Sequence, residues 1–358
     1  MADLHNWIRL AKMESPKKAI SLVDHFGSPD AVFGAGMRDL MEVDGLSRKV
    51  AEKLQSLASQ SVDQEAEALD KIGARVVTYL DDDYPANLRQ TYDPPVALFV
   101  RGTLPETDRF AVGIVGTRRP TEYGKSMAFK IGRELAQRGL AVVSGGARGV
   151  DTAAHTGALQ SGRTIAVLGC GIDVNYPYEN RGLFGKIAET GAIVSEFVPG
   201  TKPDMWRFPV RNRLISGMSL GILVVESGLT GGAMITATLA GEQGRDVWAL
   251  PGTTDSEVSR GPHSLIKDGA KLVECADDIL RDLGVQGKTE AQERPALPDN
   301  LSPEQKAIIG VLTLHPKHMD EIIAECKLSP AAASSALTLL EMLGLVRRVP
   351  GNSYVRVV

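Results

Sequence analysis

The chain has 358 residues, 43% of them hydrophobic and 23% charged, with a formal net charge of −4; this is ordinary globular composition, long enough for two or three domains. No apolar run reaches the ~18 residues of a membrane span, and Met1–Trp7 lacks a basic region followed by an apolar core, so a protein with no membrane segment and no secretory leader is expected, in the cytoplasm. Cys170, Cys275 and Cys326 are far apart and have no metal-ligand spacing, which fits structural thiols in a reducing compartment and predicts no metal site.

The charge is unevenly placed. Residues 1–107 carry 12 Lys/Arg against 17 Asp/Glu, whereas 118–148 hold seven basic side chains and two acidic ones. A second basic cluster, Lys202, Arg207, Arg211 and Arg213, stands against Asp204. Such local clusters, rather than total charge, govern affinity for polyanions.

Residues 1–62 read as a small helical domain. Within it, Met41–Leu54 has the pattern of a helix-hairpin-helix, a SAM-like arrangement whose glycine turn can offer N–H groups to a phosphate. The second glycine of that turn is Ser47 here, and the region is acidic, which favours a packing module over a DNA contact. A helix from about 63 leads to a strand at Ala74–Leu80, and Tyr92–Gly102 reads as a connector.

From Phe110 short apolar runs alternate with helical stretches: Phe110–Val115, Leu140–Val143, Thr164–Leu168, Ala192–Val194, Gly221–Val225 and Asp246–Leu250. Continuous apolar runs are the mark of buried parallel strands, and their alternation with helices implies right-handed crossovers. Residues 63–283 are therefore predicted to form an extended α/β domain, a Rossmann-like, doubly wound, mostly parallel sheet. Residues 284–300 read as a linker. Residues 301–358 show three helical patterns (Ser302–Leu314, Met319–Cys326, Ser329–Leu343) and a hairpin, the plan of a winged helix. Its would-be recognition helix, Pro330–Leu340, has no Lys or Arg, and 299–358 balance six basic against six acidic residues, so protein interaction is favoured over duplex reading.

The chemistry concentrates where strands end. The run Ser144-Gly145-Gly146-Ala147-Arg148-Gly149 follows one strand and precedes a helix, and Gly116-Thr117-Arg118 follows another. Glycines let the backbone approach a ligand, a helix start favours an anion, and arginine adds bidentate phosphate contacts. Ligands of doubly wound sheets lie at strand carboxyl ends. Two such loops point to a polyphosphate or a nucleic-acid backbone. The dinucleotide fingerprint is absent, since no acid ends the second strand, so no cofactor is predicted. His155 shares a helix face with Asp151, and a hydrogen-bonded structural role is expected for it rather than catalysis.

Five motifs then occur in order: Gly116-Thr117-Arg118; Ser144 through His155; Gly169-Cys170-Gly171-Ile172-Asp173-Val174-Asn175-Tyr176-Pro177; Phe208-Pro209-Val210-Arg211-Asn212-Arg213-Leu214-Ile215-Ser216-Gly217; and Glu226-Ser227-Gly228-Leu229-Thr230-Gly231-Gly232-Ala233. Together they resemble the DNA-processing protein A family (DprA, also called Smf), across about 85–282. The resemblance implies a non-enzymatic cytoplasmic homodimer that binds single-stranded DNA and loads the RecA recombinase onto it during natural transformation. It implies that Gly116, Thr117 and Arg118 hold the DNA backbone with Ser144, Gly145, Gly146, Ala147, Arg148 and Gly149. Arg211, Asn212 and Arg213 would extend the basic site, with Phe208, Trp206 and Tyr176 the nearest rings for stacking. The rival reading is a nucleotide-binding phosphoribohydrolase-like enzyme. Those enzymes carry a catalytic Glu in a Pro-Gly-Gly-x-Gly-Thr-x-x-Glu loop; here Ser227–Thr236 offers no carboxylate there, and the next acid is Glu242.

Overall fold

The computed structural model describes residues 2–13, 15–284, 301–313, 316–349 and 351–356. The expected linker lies outside the described residues from 285 onward. The chain divides into two compact units, one built on residues up to 119 with 128–279, the other on 120–127 with residues from 280 onward.

The larger unit is organised by one nine-stranded sheet. Its strands are β1 (Ala74–Thr78), β2 (Ala97–Gly102), β3 (Ala111–Val115), β4 (Ala141–Ser144), β5 (Thr164–Leu168), β6 (Ala192–Ser195), β7 (Gly221–Val224), β8 (Asp246–Ala249) and β9 (Lys271–Leu272). They lie in the order β1-β2-β6-β5-β4-β3-β7-β8-β9. All pairs from β6 to β9 are parallel, and β1–β2 and β2–β6 are antiparallel. Strands β3 through β7 are buried at every position, as apolar runs covered by helices on both faces must be. From β3 the chain winds outward to β6 on one side, then returns to place β7 on the other side of β3. The β3/β7 boundary is therefore the topological switch point.

Residues 97–102, which read as a connector, form β2. The pair Pro94-Pro95 obscured a run that is fully buried from Ala97 to Val100. The strand supplies the antiparallel edge that joins β1 to the parallel block.

The N-terminal helices pack on that edge. Trp7, Leu10, Leu22, Leu40, Leu54 and Leu57 share a core with Val96 and Ala97, and Ile8 and Val62 share another with Phe99 and Ala166. Packing is therefore continuous across the sequence boundary expected at 62. In the hairpin-like segment Gly45 takes φ 74° in the turn before the helix Arg48–Ala58, and Leu40, Val43, Leu46 and Leu54 are buried. Its apolar side chains serve packing.

The smaller unit carries a winged helix. Helices Pro303–Val311, Met319–Cys326 and Pro330–Met342 accompany a three-stranded sheet of β10 (Lys317–His318), β11 (Val346–Val349) and β12 (Ser353–Arg356), in the order β10-β12-β11. The first helix starts on a capping box: Ser302 Oγ accepts from the Gln305 amide at 3.2 Å, and Gln305 Oε1 accepts from the Ser302 amide at 2.8 Å. Ile308, Ile322, Leu337, Leu340 and Val346 fill its core.

Candidate nucleic-acid interface

The two predicted loops meet at the carboxyl ends of β3 and β4, where the fold places its switch point. The loop after β4 is held by its own chain. Asp151, in the first turn of the helix Val150–Ala158, accepts from the amides of Gly145 and Ala147 at 3.1 and 3.2 Å. Two of the N–H groups expected to cradle an anion from outside are thus already satisfied by an internal carboxylate. Burial pushes Asp151 up to about 6, against the pull of Arg211 and of those amides. Asn180 closes the loop from the other side, donating to Gly146 O and to Thr152 Oγ1 at 2.9 Å each. Thr152 in turn donates to Ala147 O at 2.7 Å. Gly149 turns the chain into the helix at φ 84° and ψ −122°, a conformation that excludes L side chains. Ser144 is buried, and its hydroxyl donates to Ile114 O at 2.6 Å. Its role is to tie β4 to β3.

Above this base stand the free cations. Arg118 and Arg119 form no ion pair among the described residues. The Arg118 guanidinium lies 5.3 Å from the centroid of the Phe208 ring, and that ring stacks on Tyr176 at 5.6 Å and 27°. Arg148 is exposed and pairs with Glu179, also exposed. Arg118, Arg148, Tyr176, Phe208 and Arg211 line a small cavity of about 80 Å³ together with Gly145 and Ala147. A cation, two stacked rings and a second cation therefore share one surface.

The helix Arg207–Met218 sorts its three predicted polar residues to different tasks. Arg211 is 5% exposed; its Nη1 donates to Gly145 O at 2.6 Å and to Val167 O, and its Nε to Asn212 Oδ1 at 3.2 Å. Burial lowers its pKa to about 10, opposed by Asp151, so it stays cationic near neutrality. Gly145 has no side chain because a Cβ there would sit 2.7 Å from the Arg211 guanidinium. Asn212 donates to Gly232 O at 3.3 Å. Arg213 is not brought to this surface. It donates to Asp93 O at 2.7 Å and pairs with Glu196, the two side chains being 10% and 9% exposed. Residues two apart on a helix point about 200° apart, which separates Arg211 from Arg213. Trp206 also turns elsewhere, edge-on to Phe197 and under Arg207.

A larger crevice of about 400 Å³ adjoins the cavity. It is lined by Gly116, Thr117, Arg118, Arg119, Asp151, Phe208, Arg211 and Asn212 on one side, and by Ser227, Gly228, Gly231, Gly232 and Thr236 on the other. Glu242 ends the helix Gly232–Glu242, about 9 Å along the axis beyond Thr236, and is exposed. His155 is fully buried; its Nδ1 lies 2.7 Å from Thr164 Oγ1, and burial pushes its pKa down to about 3.

Sequence reasoning did not single out Asn180 or Glu179, and it quoted Thr152 and the Ser227–Thr236 segment as motifs without giving them a place in the site. Asp151 left a trace, since an acid in the first turn of a helix after a glycine loop is placed to take up backbone amides. Asn180 left none: its 34-residue separation from Gly146 is a matter of tertiary packing.

No helix among the described residues is long and apolar enough to cross a membrane, and no group of His, Cys, Asp and Glu among them is placed to hold a metal. The family model described as DNA recombination-mediator protein A matches residues 75–284, and the DprA winged-helix domain matches 292–352. The chain is 35% identical to the protein Smf of Synechocystis, with 94% of each chain covered. It is similar to the X-ray structure of DNA processing protein A from Streptococcus pneumoniae, with a TM-score of 0.68, 34% identity, and coverage of 77% of this chain and 95% of that one. A second match, at TM-score 0.54 and 32% identity over 59% of this chain and 95% of that one, is DNA processing protein A from Helicobacter pylori, whose structure describes a single-stranded DNA binding mode of that protein. With the central sheet, the winged helix and the near full-length relative in agreement, the chain belongs to the DNA recombination-mediator protein A family.

Proposed function

We propose that this protein binds single-stranded DNA without base specificity, across the surface formed by Arg118, Arg148, Phe208 and Tyr176, and loads the RecA recombinase onto the bound strand during transformation and homologous recombination. The observation that carries the DNA reading is the Arg118–Phe208–Tyr176 arrangement, with guanidinium and ring 5.3 Å apart and two rings stacked at 5.6 Å. Unpaired bases present their faces to rings, and their phosphates follow a basic track; a duplex hides those faces. The single-stranded DNA binding mode described for the Helicobacter pylori relative supports the same ligand. Because the loop amides of Gly145 and Ala147 are taken by Asp151, the reading assigns the phosphates to side chains: Arg118, Arg148 and the edge of Arg211. Gly116, Thr117, Ser144, Gly146, Gly149 and Asn212 shape that surface, while Arg213 supports the helix beneath it. The proposal extends to a cytoplasmic homodimer that hands the strand to RecA, a reading that membership of a recombination-mediator family supports.

The test compares fluorescence anisotropy of single- and double-stranded oligonucleotides over a salt series. Strong, salt-dependent preference for the single strand is expected; equal binding of both forms removes the proposal. RecA filament assembly on strands coated with single-strand binding protein should accelerate when this protein is added. No acceleration would remove the loading role and leave the binding role intact.

A further inference from the structure

We propose that the crevice between the Thr117–Arg119 loop and the Ser227–Ala233 loop holds a nucleoside 5′-monophosphate unit, with its terminal phosphate against the N-terminus of the helix Gly232–Glu242. The inference rests on the single-strand reading of the adjoining surface and adds an end-recognition site to it.

Four observations converge. The crevice measures about 400 Å³, the size of a small-molecule site. It lies at the β3/β7 switch point, outside the strand carboxyl ends, where sheets of this kind bind their ligands. Its cations are not neutralised: Arg118 and Arg119 have no ion pair among the described residues. Arg211, 5% exposed, commits Nε and Nη1 to protein oxygens and leaves Nη2 without a hydrogen-bond partner among the described residues. The 11-residue helix Gly232–Glu242 also lines the crevice; it begins at Gly231 with no side-chain cap, the Met234 amide is bonded to Gly231 O, and the amides of Gly232 and Ala233 have no hydrogen bond among the described residues. Gly228 and Gly232 keep this wall low, and a Cβ on either would meet nothing within 4 Å.

The charge of the lining selects a strand end over a strand interior. A phosphomonoester carries about −1.5 to −2 charges and three acceptor oxygens, whereas an internal phosphodiester carries one charge and two free oxygens. Three guanidinium groups and a helix N-terminus suit the former. The one acid in the lining, Asp151, is already bonded to the amides of Gly145 and Ala147. Phe208 lines both the crevice and the smaller cavity, so a terminal nucleotide would remain continuous with the stacked surface.

The experiment uses the full chain and three probes: oligothymidylate with a 5′-hydroxyl, the same strand with a 5′-phosphate, and free thymidine 5′-monophosphate. The 5′-phosphorylated strand should bind about five- to tenfold tighter than the hydroxyl form, the size of one or two charge-assisted contacts, and a 3′-phosphate should give no such gain. In Gly232→Asp, which places a carboxylate at the phosphate position in open space, the ratio between the two ends should fall to about one, while Gly232→Ala keeps it. Displacement of the phosphorylated end by thymidine monophosphate supports the same site, and shows that a free nucleotide also enters. Equal affinity for both ends with no monophosphate binding, or an equal gain from a 3′-phosphate, overturns the inference and leaves single-strand binding standing. Failure of the hydroxyl strand to bind removes the underlying reading instead.

Discussion

Arg211 donates from Nη1 to the carbonyl oxygen of Gly145 at 2.6 Å, joining the helix Arg207–Met218 to the loop after β4. A Cβ at 145 would stand 2.7 Å from that guanidinium. Gly145→Ala is therefore expected to lower stability by about 1–3 kcal/mol, the usual cost of overpacking, and to weaken single-strand binding by displacing Arg211. Denaturant melts and anisotropy on the same preparation check both; an unperturbed melt contradicts the contact.

Charge and stacking separate in two substitutions. Arg118→Ala should weaken single-strand binding and reduce the slope of log K against log salt by about one phosphate's worth, ~0.7. Phe208→Ala should cost about 1–3 kcal/mol of binding with the slope unchanged. A changed slope in the phenylalanine variant, or an unchanged one in the arginine variant, would falsify the assignment.

Glu179 holds Arg148 in an exposed ion pair. A bound phosphate must compete with that carboxylate. Glu179→Gln should therefore tighten single-strand binding by about two- to fivefold at low salt, an advantage that fades as salt rises. Weaker binding by this variant would mean that the pair orients Arg148 for DNA.

Arg213 is expected to behave as a structural residue. Removing it leaves Glu196 buried without its partner, a loss of about 3–5 kcal/mol. Burial already pushes Glu196 up to about 7, with Arg213 opposing. Arg213→Met should thus lower the melting midpoint, and the folded fraction should keep the wild-type salt slope. A slope lowered by about 0.7 would place Arg213 on the DNA after all.

Asp151 gives a pH test. Its pKa is about 6 in the folded chain against 3.8 as the ordinary value, with burial the main cause. Between these values the folded state binds more protons than the unfolded one, so this group adds stability as pH falls from about 6 to about 4. The stability of wild type minus that of Asp151→Asn should rise over that window. His155 and Glu196 titrate in both proteins and cancel in the difference. A flat difference would show that Asp151 is not buried as described.

Much of the fold was legible because its signals are local. The runs of β3 through β8 are predominantly apolar, and buried parallel strands leave little alternative. The winged helix announced itself through Ser302-Pro303 and Ser329-Pro330 at two helix starts. β2 was hidden because two prolines precede it and its partners, β1 and β6, are antiparallel to it. For the site, sequence located the loops and the arginines but not their directions. Arg211 and Arg213 look interchangeable as letters, yet helix geometry turns one to Gly145 and the proposed DNA surface and the other to Asp93 and Glu196. Nor could spacing show that Glu179 reaches Arg148 across 31 positions.

The internal carboxylate under the loop has an evolutionary consequence. Since Asp151, Asn180 and Thr152 fix the backbone of residues 145–149 from within, its shape does not depend on what is bound above it. Affinity can then be adjusted by exchanging exposed side chains such as Arg148 and Glu179, one at a time, without refolding the loop. A lineage could strengthen or relax its hold on DNA by surface substitution alone, while the scaffold beneath stays the same.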